Sequence, residues 1–211
     1  LLESGTSSGA STGSILMATG AGSHSSGGIT IRSSNAASAG VSGSLVFSSG
    51  TTASGSSGSL HIGTGTSING RAGQISIEVG GSDSGQGGAV LIEAGSTSPS
   101  DMDGGAVSVL AGQGGNAGGQ VTIQAGDGVT STGGDVLIVS GSGAAVSSGA
   151  VVIASAATTK GVSGSLTFSS GTTTSGNSGH LLVRSGDANA GQSGAVSVLS
   201  GTTPVGSSQG V

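Results

Sequence analysis

Apolar residues recur along the chain as pairs separated by a single position, and the pairs return about every 15 residues. They run Ile15/Met17, Ile29/Ile31, Leu45/Phe47, Leu60/Ile62, Ile75/Ile77, Val90/Ile92 and Val107/Val109. They continue as Val121/Ile123, Val136/Ile138, Val151/Ile153, Leu166/Phe168, Leu181/Val183 and Val196/Val198, thirteen repeats with steps of 14–17 residues. Alternation at period two, in aliphatic residues bounded by Gly, predicts a short strand at each pair. No window offers an i, i+3, i+4 apolar pattern of useful length, and Gly at this density penalises any helix. A longer phrase makes the same point. Residues 41–62 and 162–183 agree at 16 of 22 positions, at an offset of 121 residues, or eight short repeats. Repetition at a fixed short period is the signature of a solenoid.

Two positions after each pair stands a small residue, such as Thr19, Ser49, Ala94, Ala125 or Ser185, which the alternation turns to the same side as the pair. Gly follows it in 11 of the 13 repeats. This reads as a first corner, where Gly supplies positive φ without steric cost. A few small or polar residues later comes a second corner, as at Gly55/Gly58, Gly70/Gly73, Gly85/Gly88, Gly176/Gly179 and Gly191/Gly194. The expected fold is therefore all-β: a parallel β-solenoid (β-helix) of about 13 coils of about 15 residues, each a two-limbed flattened coil. Coils stacked at about 4.7–4.9 Å would make a rod roughly 60 Å long, with a core one side-chain layer thick. Residues 1–211 read as a single repeat domain, a segment of a longer array or filament, because neither end carries a capping element. Ser96–Asp103, in the longest repeat, reads as a loop bulging from the rod.

Composition sharpens this picture. With 47 Gly among 211 residues and 6% charged residues the chain has the makings of a disordered segment, yet its Gly and aliphatic positions keep a fixed phase. Two Phe and no Trp or Tyr leave no material for a large globular core. Net charge is −5, and the four basic residues Arg32, Arg71, Lys160 and Arg184 lie far apart, so nucleic acid is not an expected partner. No apolar run of about 20 residues exists to span a membrane. Leu1-Leu2-Glu3-Ser4 lacks the basic-then-apolar pattern of a signal peptide. Without Cys there is neither a disulfide framework nor thiol chemistry.

Candidate chemistry is sparse. His24, His61 and His180 fall at three different phases of the repeat and form no metal cluster. Asp101-x-Asp103-Gly104 and Gly80–Gly85 offer too few oxygens for calcium. Glu78 and Glu93 share one column, but a flat face gives a carboxylate pair no cleft in which to act as acid and base. No catalytic, cofactor-binding or metal-binding residue is assigned, and the chain is read as no enzyme. The position between the members of each pair faces outward, and six of these thirteen are apolar: Leu16, Val46, Leu91, Leu137, Val152 and Leu182. They are the candidate lateral contact face. Thr51, Thr66, Thr172 and Thr202 are the candidate face for ice or glycan, although Gly81, Gln113 and Asp127 break the rank.

The repeats, and phrases such as Ser48-Ser49-Gly50-Thr51-Thr52 within them, resemble the Gly/Ser/Thr-rich β-solenoid repeats of secreted and cell-surface proteins, among them adhesins and extracellular fibre proteins. The resemblance covers the whole chain and rests on composition and period. It implies a non-enzymatic structural protein, extracellular or at the cell surface, that forms filaments or adheres to surfaces. The partners expected are further copies, end to end or laterally, or a surface glycan. The alternative is an ice-binding or glycan-binding solenoid that uses its Ser/Thr limb.

Overall fold

In the computed structural model, which describes residues 2–5, 8, 12–37, 40–98 and 101–202, each repeat turns back on itself after its small residue. The glycine of the second corner is brought opposite that residue. A β-carbon built on Gly27, Gly43, Gly58, Gly134 or Gly179 would lie 3.1–3.8 Å from the β-carbon of Thr19, Ser33, Ser49, Ala125 or Ser170 respectively. At Gly88 it would lie 2.7 Å from Val79 Cγ1, closer than non-bonded carbons approach, so a side chain there would require Val79 to shift. The small-residue column is also where the chain is best covered. Ser33, Ala94, Ala125, Ser140 and Ser185 are half-buried, and every other described residue is exposed.

The β-solenoid does not form. Among the described residues there is no helix and no strand. Among the described residues four backbone–backbone hydrogen bonds form, and all close a single repeat on itself: Gly105 to Gly95, Gly119 to Gly112, Gly134 to Gly126 and Gly149 to Gly141, each N–H donating to the carbonyl at 2.9–3.0 Å. None reaches from one repeat to the next. The physical reason lies in what alternation encodes. Period two is a property of one segment, whereas a sheet also needs a second backbone held about 4.7–4.9 Å away. The contacts that fix the repeat join its own small residue to its own return glycine, and they exert no pull on the following repeat. The aliphatic pairs accordingly line no core: among the described residues no hydrophobic residue is buried.

The chain divides into two bodies, Leu1–Val107 and Ser108–Val211, each a run of such repeats. The expected bulge at Ser96–Asp103 falls in the first body, and Pro99 and Ser100 lie outside the described residues. Thr97 Oγ1 donates to the Met102 carbonyl at 3.1 Å across its flanks. Of the end segments expected to lack caps, residues 1, 6, 7, 9–11 and 203–211 also lie outside the described residues.

Two chemistries make the turn between the limbs in eight of the thirteen repeats. In the first, a hydroxyl three positions after the small residue closes the turn. Thr52 Oγ1 donates to the Ser54 carbonyl at 2.8 Å and accepts from the Ser54 N–H at 3.3 Å. Ser82 with Ser84, Thr158 with Lys160 and Thr173 with Ser175 repeat the arrangement. A glycine in the left-handed region follows each: Gly55, Gly85, Gly161 and Gly176, at φ between +88° and +106°. Positive φ thus sits at the second corner, and the first-corner glycines expected to carry it do not. In the second chemistry the hydroxyl position is itself glycine, at Gly22, Gly114, Gly128 and Gly143, packed so close to a carbonyl three residues on that a side chain has no room.

The hydroxyl turn makes a direct prediction. Thr52→Ala and Thr173→Ala each remove a side chain that bonds its backbone twice, worth about 1 kcal/mol. Amide exchange at Ser54 and Ser175 is then expected to quicken about fivefold, while Thr51→Ala leaves it unchanged. Equal exchange in all three variants would mean that these hydroxyls do not hold the turn.

Candidate functional site

The first member of each aliphatic pair sits beside the limb that folds back and is shielded most, at 50–61% exposure across the thirteen repeats. The second member is 50–77% exposed. The position between them, where Leu16, Val46, Leu91, Leu137, Val152 and Leu182 stand, is 75–87% exposed. The order follows from local backbone alternation: residues i and i+2 turn toward the return limb and i+1 turns away. Each of the six outward residues is open to solvent. No hydrogen bond links one repeat to another among the described residues, so nothing of that kind gathers the six into one patch.

Thr51, Thr66, Thr172 and Thr202 are exposed as well. Their neighbours Thr52 and Thr173 direct their hydroxyls at their own turns. The hydroxyls of the second limb therefore divide between turn closure and solvent, and the dividing line follows position within the repeat. Sequence reasoning missed the closing role of Thr52, Ser82, Thr158 and Thr173. Each is a Ser or Thr three residues after the inward position with Gly three further on, a pattern that Ser67 and Gly70 share although there Asn69 takes the left-handed conformation.

The residues weighed for chemistry stay apart. Among the described residues no group of three or more His, Asp or Glu could hold a metal ion, and the surface carries no pocket. Asp83 accepts from the neighbouring Ser84 hydroxyl at 3.3 Å. His24 Nδ1 lies 3.0 Å from Ser23 Oγ. No helix is long and apolar enough to cross a membrane, among the described residues. What the chain presents in place of a site is a surface: thirteen aliphatic pairs and their outward neighbours, repeated at nearly constant spacing. No protein-family model, curated protein or solved structure matches the chain.

Proposed function

We propose that the chain is a non-enzymatic structural protein, extracellular or at the cell surface, that works by associating through its repeated apolar surface, as a filament former or a surface adhesive. One observation carries the reading: the apolar pairs of all thirteen repeats and their apolar outward neighbours Leu16, Val46, Leu91, Leu137, Val152 and Leu182 are 50–87% exposed. Exposed apolar area on that scale marks contact surfaces, since soluble monomers rarely leave patches beyond a few hundred Å² open. The low charge favours the same reading, because a net charge of −5 spread over 211 residues offers little repulsion between chains.

The test is direct. Negative-stain images and sedimentation of the purified chain over a hundredfold concentration range are expected to give filaments or bundles, or else retention of the chain on an apolar or polysaccharide surface. A chain that stays monodisperse at every concentration and is retained on neither surface would sink the proposal.

A further inference from the structure

Three quantities describe what each repeat leaves unmet. The chain exposes 20530 Å². A folded monomer of 19.1 kDa exposes about 8,400 Å². The excess, about 12,000 Å², is many times the roughly 800 Å² per partner of a standard interface, so one compact partner docked at one place leaves most of it open. The occupant has to meet each repeat in turn. The backbone is equally unmet. Among the described residues four backbone–backbone hydrogen bonds exist, where a folded chain makes about one hydrogen bond per residue. Both edges of every aliphatic segment therefore present unpaired N–H and C=O groups, the template on which another backbone adds.

Whatever fills these edges must also cover the pairs. It needs an aliphatic pair, a small residue and a glycine in that order, about every 15 residues, thirteen times over. This chain has that period. A copy running the same way sets pair beside pair, small residue beside small residue and glycine beside glycine, while a reversed copy brought pair to pair about Thr122 would set Ala125 of one chain beside Gly119 of the other. We propose that further copies of this chain interleave with it, parallel and in register, so that each repeat is flanked by repeats of other copies and not by its own neighbours. The aliphatic pairs and the open backbone edges are the contact, and the outward column is not. This deepens, and rests on, the reading of the chain as a self-associating structural protein, and it names the partner and the face.

The absence of Cys gives a background-free test. Thr122 and Leu137 occupy the outward position of consecutive repeats in the second body. A disulfide requires Cα atoms within about 4.4–6.8 Å. Thr122→Cys alone, oxidised at rising concentration, is expected to give covalent dimers. The double variant Thr122→Cys/Leu137→Cys is expected to give chains linked to one another in a ladder, with little internal disulfide. Val121→Asp or Val136→Asp added to the single-Cys chain is expected to cut dimer yield at least tenfold, and Leu182→Lys is expected to leave it unchanged. Predominantly internal disulfide in the double variant would mean that consecutive repeats pair within one chain, and would overturn the inference. So would assemblies that resist the Val→Asp changes and dissolve with Leu182→Lys, although the proposed function would then stand. A monomer that forms no dimer yet is retained on polysaccharide, or shows thermal hysteresis, puts a glycan or ice in place of the second copy and likewise overturns it. Failure of both cross-linking and surface retention removes the proposed function as well.

Discussion

Gly128→Ala is expected to open the turn of its repeat, whereas Gly126→Ala two residues away is tolerated. A β-carbon on Gly128 would fall on the carbonyls of Ser131 and Thr132, with the Thr132 carbonyl carbon 2.7 Å away. These are backbone atoms and cannot rotate aside. A β-carbon on Gly126 meets nothing within 4 Å. Substitution where the native backbone cannot accept a side chain costs more than the roughly 1 kcal/mol scale of ordinary Gly→Ala effects. The bond that reports it is Gly134 N–H to the Gly126 carbonyl, 2.9 Å long in the native repeat. Protection of the Gly134 amide should fall at least about tenfold in Gly128→Ala and hold in Gly126→Ala, which keeps the accepting carbonyl. Equal protection in the two variants would show that the limb does not return where the close approach puts it. Gly114→Ala, against the carbonyl of Ala117, is expected to behave as Gly128→Ala does, read at the Gly119 amide.

Much of one repeat was legible in the sequence, and the relation between repeats was not. The period placed the small residues, and five of them (Ser33, Ala94, Ala125, Ser140 and Ser185) are the best-covered residues described. Gly58, Gly134 and Gly179 likewise fall opposite Ser49, Ala125 and Ser170, as two corners per repeat require. The expected parallel β-solenoid failed at the step from one segment to two. Val121/Ile123 alternates as a strand would, but alternation states which way side chains point and not whether Val136/Ile138 lies within hydrogen-bonding reach. The same gap explains the misplaced corner. Gly50 and Gly55 look alike in sequence, and the left-handed conformation falls to Gly55, just beyond the Thr52 hydroxyl bonded to Ser54. The outward column was legible as exposed positions, because exposure of Leu137 or Val152 follows from alternation alone.

Denaturant should distinguish the isolated chain from its assembly by slope more than by midpoint. An unfolded chain of 19.1 kDa exposes about 28,000 Å², and this one already exposes 20530 Å². The slope of unfolding free energy with urea scales with the area newly exposed. A dilute sample is therefore expected to give a shallow, nearly featureless urea curve, at most about half as steep as that of a compact protein of equal mass. At concentrations where chains associate, the transition should become steep and move to higher urea with concentration. A steep transition that is independent of concentration would mean that the single chain buries a core of its own, contrary to the exposure of its aliphatic pairs.

The closing bonds carry one more consequence. Six residues lie between the bonded glycines in Gly112/Gly119 and nine in Gly95/Gly105, yet both bonds measure 2.9 Å. Extra length in the bend between the clasped ends thus leaves the clasp unaltered. Insertions there lengthen the step to the next aliphatic pair, 17 residues from Val90 to Val107 against 14 from Val107 to Val121, and leave the closing bond intact. A short foreign peptide spliced into that bend would ride on the array as a regularly displayed cargo.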